Sequence, residues 1–119
     1  MCFFKKKKTV SEKQLTEKQL IVEDINLIKL NMQKISVLLV YAEEFEDIGD
    51  RLKKIQENLK YANPVADQRV QGLDRKITEQ LNKVQEFLDL CHTKQNYEGW
   101  QDKIRGLEIL IAERNANII

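Results

Sequence analysis

Cysteine, proline and glycine are scarce in this 119-residue sequence, and each shortage excludes something. The two cysteines, Cys2 and Cys91, stand at opposite ends and match neither a disulfide framework nor a paired metal-ligand spacing. They suit a reducing compartment, so the expected location is cytoplasmic, with a peripheral position on the inner face of a membrane as the alternative. One proline and four glycines leave few of the breaks that a β-rich chain needs at every turn. The β-branched clusters keep three-and-four spacing and never alternate over a useful length, which excludes strands. The longest unbroken apolar run, Val37 to Ala42, falls far short of the roughly 20 residues that span a bilayer. Phe3 and Phe4 are too few for a signal-peptide core, and the lysines follow them where a signal would place them before.

What remains is a chain that is 33% charged and 42% hydrophobic, weighted toward Leu, Lys, Glu, Gln and Ile. These are good helix formers, and the length suits one domain that buries a real core. The expected fold is all-α: a bundle of three long helices, over about 11–62, 66–92 and 97–115, with coiled-coil-like heptad seams. A flexible basic tail over 1–10 precedes a single domain over 11–119. The formal net charge of +1 hides an asymmetry. Without Lys5 to Lys8, 16 basic residues face 19 acidic ones, a net of −3. Nothing outside the tail gives the basic footprint of a nucleic-acid binder.

Periodicity divides the chain. Ser11 and Gln14 have the spacing of a capping box, and apolar residues then fall at Ile21, Ile25, Ile28, Met32, Ile35, Leu39 and Ala42 in alternating steps of four and three. The rhythm slips at Phe45 and resumes at Ile48, Leu52, Ile55, Leu59 and Ala62. A slip of this kind overwinds a seam or marks a bend. With Gly49 followed by Asp50, the reading is one long helix kinked near Gly49, and a true break there is the alternative. It ends before Pro64, with Asn63 suited to its C-cap. The second helix carries Val70, Leu73, Ile77, Leu81, Val84, Leu88 and Cys91 on one stripe, and the third, capped by Asn96, carries Trp100, Ile104, Leu107 and Ile111. In Ile35 to Ala42 only Ser36 is polar, so the first helix is expected to lie at the centre of the fold, with Leu39 in the core.

Few residues suggest chemistry. Cys91 and His92 are a common catalytic couple by type, but neighbours on a helix point about 100° apart, and Cys91 continues an apolar stripe. One histidine without company is weak evidence for a transition-metal site. Glu43, Glu44, Glu46, Asp47 and Asp50 offer oxygen ligands for Ca²⁺ or Mg²⁺, yet they lack EF-hand spacing. Asp47 precedes Arg51 by four and Asp50 precedes Lys54 by four, which favours a solvated face of ion pairs. No phosphate loop, nucleophile elbow or metalloprotease helix is found. Neither an enzyme nor a cofactor is expected.

The segment Phe3, Phe4, Lys5, Lys6, Lys7 and Lys8 exceeds what a bundle needs. Aromatics in an interface and lysines on anionic headgroups would give a membrane contact, at about 1 kcal/mol per basic residue. An inert solubilising tail is the bland reading, and nucleic-acid contact is disfavoured because four charges carry no sequence readout. The functional expectation is a non-enzymatic interaction or scaffold module, with peripheral membrane association through this tail as the alternative. A homodimer is expected through a seam of Ile21, Ile25, Ile28, Met32, Ile35 and Leu39, alongside an unidentified protein partner. The reason is length. A helix over 11–61 runs about 75 Å against about 40 and 30 Å for the others, leaving part of its seam uncovered unless Gly49 breaks it.

Overall fold

The computed structural model describes residues 16–117, and these form four α-helices without a strand. The helices are α1 (Glu17–Tyr41), α2 (Glu46–Lys60), α3 (Gln68–Lys94) and α4 (Trp100–Ala116). The expected count of three is corrected to four, because the described part of the first stretch, residues 16–62, holds two helices. The break lies at residues 42–45, where the apolar rhythm slips, and Gly49 sits inside α2 with its N–H donating to the Phe45 carbonyl at 2.9 Å. Charge explains the choice. Glu43 and Glu44 would oppose the negative end of α1, which has no basic residue in its last turn, whereas Glu46 and Asp47 suit the positive start of α2.

The other boundaries also have local causes. Thr16 caps α1 in a reciprocal box: its hydroxyl accepts from the Gln19 N–H at 3.1 Å, and its own N–H donates to Gln19 Oε1 at 2.9 Å. The Ser11 and Gln14 pair lies outside the described residues. Helix α2 ends at Lys60, with Tyr61 rather than Asn63 as its C-cap. Asp67 caps α3 by accepting from the Arg69 N–H at 2.9 Å, and α3 stops at Gln95 in the left-handed conformation, φ 53°. Asn96 is not the cap of α4; it accepts from the Glu98 N–H inside the turn, and Gly99 at φ 90° starts the helix.

Side-chain ties fix the directions. Gln56 of α2 donates to the Met32 carbonyl of α1, making an antiparallel hairpin, and Gln80 of α3 donates to the Lys103 carbonyl of α4, making another. Helix α1 lies beside α3, and α2 beside α4, while α2 and α3 stand diagonally across the bundle. The connection 61–67 must therefore cross one end of the bundle on the diagonal. That end is called the crossing end below, and the one with the turns at 42–45 and 95–99 the hairpin end.

Buried positions repeat at three and four along each helix. The core joins Ile28, Ile35, Leu38 and Ala42 to Ile48, Leu52, Ile55 and Leu59, and to the stripes of α3 and α4. Every residue expected on the α3 stripe is buried, Cys91 included. On α1 the phase is rotated. Leu38 is fully buried and Leu39 only half-buried, while Val37 and Val40 face solvent, so α1 is not the surrounded centre of the fold. Each helix has two neighbours and keeps one side free. An apolar run reads as burial on all sides only when neighbours exist to supply it.

Candidate functional site

All the buried polar and charged residues among those described gather in the half of the bundle toward the crossing end: Asp24, Asn31, Gln71, Asp74 and Arg114. The hairpin-end half of the core is apolar. Helix α1 supplies Asp24 and Asn31 in register with Ile28 and Ile35, α3 supplies Gln71 and Asp74 beside Val70 and Leu73, and α4 supplies Arg114 three residues after Ile111. Each lies where the three-and-four step of its helix points inward.

The centre is a triad. Asp24, Asp74 and Arg114 have side chains of 0% relative exposure. Arg114 Nη2 donates to Asp24 Oδ2 at 3.1 Å and its Nε donates to Asp74 Oδ1, so one guanidinium joins α1, α3 and α4. The crossing is tied to the same groups. The Val65 N–H donates to Asp24 Oδ2 at 2.8 Å, and the Asn63 carbonyl accepts from Arg114 Nη2 at 3.3 Å. Asn31 Nδ2 donates to the Asp74 carbonyl at 3.1 Å, the Thr78 hydroxyl donates to Asn31 Oδ1, and Gln71 Nε2 donates to the Leu20 carbonyl at 2.6 Å.

One cation among two carboxylates leaves a net negative charge in a buried place, which is costly. Three atoms also lack partners: Asp24 Oδ1, Asp74 Oδ2 and Arg114 Nη1. Burial pushes the Asp74 carboxyl up to about 8, the hydrogen bond with Asp24 adds to the rise, and Arg114 pulls the other way without cancelling it. That direction favours the protonated form of Asp74. Two carboxylates in contact do not both ionise when burial withholds solvent. Chemically the arrangement can hold a proton and fasten three helices and the crossing.

The residues singled out by sequence are elsewhere. Cys91 is buried, burial pushes its thiol up, and His92 is exposed with Nδ1 3.3 Å from the Tyr97 hydroxyl. The two side chains do not form a couple. Among the described residues, no three His, Cys, Asp or Glu side chains gather as a metal site. The Asp47–Arg51 pair does not form; Arg51 instead grips Glu108 of α4 and lies over the Trp100 ring at 5.4 Å. No ion pair joins Asp50 to Lys54 either. Of the expected seam, Ile28 and Ile35 lie in the core, while Ile21, Ile25, Met32 and Leu39 are half-buried at its flanks. Phe3, Phe4 and Lys5 to Lys8 lie outside the described residues.

Sequence reasoning passed over the triad because Asp24, Asp74 and Arg114 read as ordinary members of polar faces. A signal existed: Arg114 extends the series Ile104, Leu107, Ile111 by one more step of three, and Asp24 precedes Ile28 by four. The chain matches no protein-family model, no curated protein and no solved structure. Among the described residues, no helix is long and apolar enough to cross a membrane.

Proposed function

We propose that this protein is a non-enzymatic helical interaction module whose first partner is a second copy of itself. The observation that carries the reading is the outward face of α1. Val22, Leu30, Val37 and Val40 are 49, 39, 46 and 70% exposed, all on the side away from the core. Between them along the same face stand Asn26 and Gln33, so its midline carries no charge in a chain that is one-third charged. Steps of four, four, three, four and three run through Val22, Asn26, Leu30, Gln33, Val37 and Val40, the spacing of a helix-pairing seam. The premise of one overlong helix no longer applies, and the seam residues Ile28 and Ile35 are occupied within the chain. This face is a separate surface.

Charge argues for a copy of the chain, packed antiparallel. At the hairpin end the face runs into a hollow lined by Leu39, Val40, Glu43, Glu44, Glu46 and Asp50, where Lys53 offsets one of the four carboxylates and leaves the lining net acidic. Pairing Val22 of one copy with Val40 of the other brings the start of each α1 level with this acidic corner of its partner. In the sequence, Lys5 to Lys8 stand nine to twelve positions before Glu17, and their charge is opposite to that of the corner. Basic and acidic segments then meet twice by the two-fold symmetry of the pair. Sedimentation equilibrium on the full chain tests it: a dimer is expected at micromolar concentration, and Val37→Lys with Val40→Lys should return a 14.0 kDa monomer with unchanged helical circular dichroism. A wild-type monomer, or a dimer indifferent to both lysines, overturns the reading.

The competing class is a peripheral membrane protein, supported by the sequence Phe3, Phe4, Lys5 to Lys8 alone. Co-sedimentation with anionic vesicles, with and without the first eight residues, separates the two.

A further inference from the structure

The orphaned atoms of the triad come in a pattern. Each carboxylate has one oxygen held by Arg114, and each has the other oxygen, Asp24 Oδ1 and Asp74 Oδ2, without a donor. The two carboxyls are hydrogen-bonded to each other, and a single hydrogen shared between their free oxygens would satisfy both at once and leave only Arg114 Nη1 unmatched. The same hydrogen removes the net negative charge. Completeness of hydrogen bonding and neutrality, two separate demands on a buried group, call for the same proton.

We propose that Asp24 and Asp74 hold one exchangeable proton between them and that it latches the 61–67 crossing onto the bundle, so that the crossing end tightens when the proton is taken up and loosens when it is lost. The mechanical link is direct. Asp24 Oδ2 is the acceptor for the Val65 N–H, and Arg114 holds the Asn63 carbonyl, so repulsion between two ionised carboxylates would act on the very side chains that seat the crossing. The charged and titratable groups in this cluster are few. Helix α1 contributes Asp24, α3 contributes Asp74, α4 contributes Arg114, and the crossing contributes backbone alone. Asn31, Gln71 and Thr78 add neutral groups, and no α2 side chain is hydrogen-bonded to the three. Among the described residues, no other charged side chain is hydrogen-bonded to the three.

The sign follows from linkage. Asp74 is raised to about 8 in the fold and returns to the ordinary carboxylate range when unfolded, so the folded protein binds one more proton between those limits. Stability therefore falls as pH rises through that window and levels off above it. One proton corresponds to about a tenfold loss in the folding constant per pH unit.

The test uses the full chain and Asp74→Asn, whose amide mimics the protonated acid. Denaturant titrations at pH 5.5 and 7.5 should show this tenfold-per-unit loss in the wild type and a flatter profile in Asp74→Asn. Equal pH slopes overturn the shared proton. Carboxyl carbon shifts from labelled aspartate provide a reading that needs no variant: an aspartate titrating well above the ordinary carboxylate range supports the proposal, and none doing so overturns it. Hydrogen exchange at the Val65 amide, corrected for its intrinsic pH dependence, reports the latch. Protection should drop between pH 7 and 9 in the wild type, and unchanged protection would defeat the mechanical part.

Discussion

Alanine at position 114 would leave Asp24 and Asp74 buried without their cation. That substitution should cost about 3 to 5 kcal/mol in a urea titration, the range for breaking a buried charge pair from one side. Removing all three charges together with Asp24→Leu, Asp74→Leu and Arg114→Met should cost less than Arg114→Ala alone, because no uncompensated carboxylate remains. The triad would then be a device for placement more than for stability. Leu38 and Leu39 offer a second comparison between neighbours. Leu38 is fully buried, so Leu38→Ala should lose about 2 to 5 kcal/mol, and Leu39→Ala, at a half-buried site, clearly less. Equal losses would restore the phase expected from sequence. Cys91 completes this scale: its buried, poorly ionised thiol should resist thiol reagents in a Cys2→Ser background until the chain unfolds.

The turn at 42–45 is where an element was placed wrongly by sequence. Gly49 looked like a breaker because glycine is a poor helix former, yet it occupies the first turns of α2, and a Cβ there would meet only the Ala42 carbonyl oxygen at an ordinary 3.6 Å. Gly49→Ala should therefore stabilise the protein by about 0.5 to 1 kcal/mol, read as a higher thermal midpoint. Destabilisation would mean the helix needs that glycine. Gly99 is the opposite case, since its φ of 90° is strained for any residue with a side chain, and Gly99→Ala should lower the midpoint. The slip in apolar spacing at Phe45 was legible; what it lacked was a reason to choose a full break over a bend. Phe45 packing on Tyr97, ring centroids 4.0 Å apart, supplies that reason from the far side of the bundle.

At the scale of the molecule, two hairpins lie side by side, and among the described residues the diagonal crossing over the triad is their one covalent link. This makes the crossing end the place where pH acts on the whole fold. Outward from the bundle, the proposed pairing rests on the uncharged face of α1 and the acidic corner at residues 43–50. If Lys5 to Lys8 meet that corner in a dimer, raising salt should weaken the pair, because exposed charges are screened over about 8 Å at physiological ionic strength. Sedimentation at low and high salt checks this, and replacing the four lysines with glutamine should abolish the salt dependence while leaving a weaker dimer on the valine face.

Sequence by itself determined the helical class, the inward stripe of α3 and most of that of α4, and the buried state of Cys91, because these follow from residue spacing within one helix. Val70 to Cys91 keep their phase whatever surrounds them. Spacing within α1 points to a seam through Met32 and Leu39, whereas the fold uses an overlapping one that shares Ile28, Ile35 and Ala42 with it. One seam uses Met32 and Leu39; the other accepts Asp24 and Asn31 as inward residues. Only tertiary structure decides between them, because a polar residue is admitted to a core when partners from other helices receive it. Asp24 is inward because Arg114, 90 positions later, and Val65 meet it there. No local rule reaches that far, since the stabilising contact exists only once α4 and the crossing have been laid against α1.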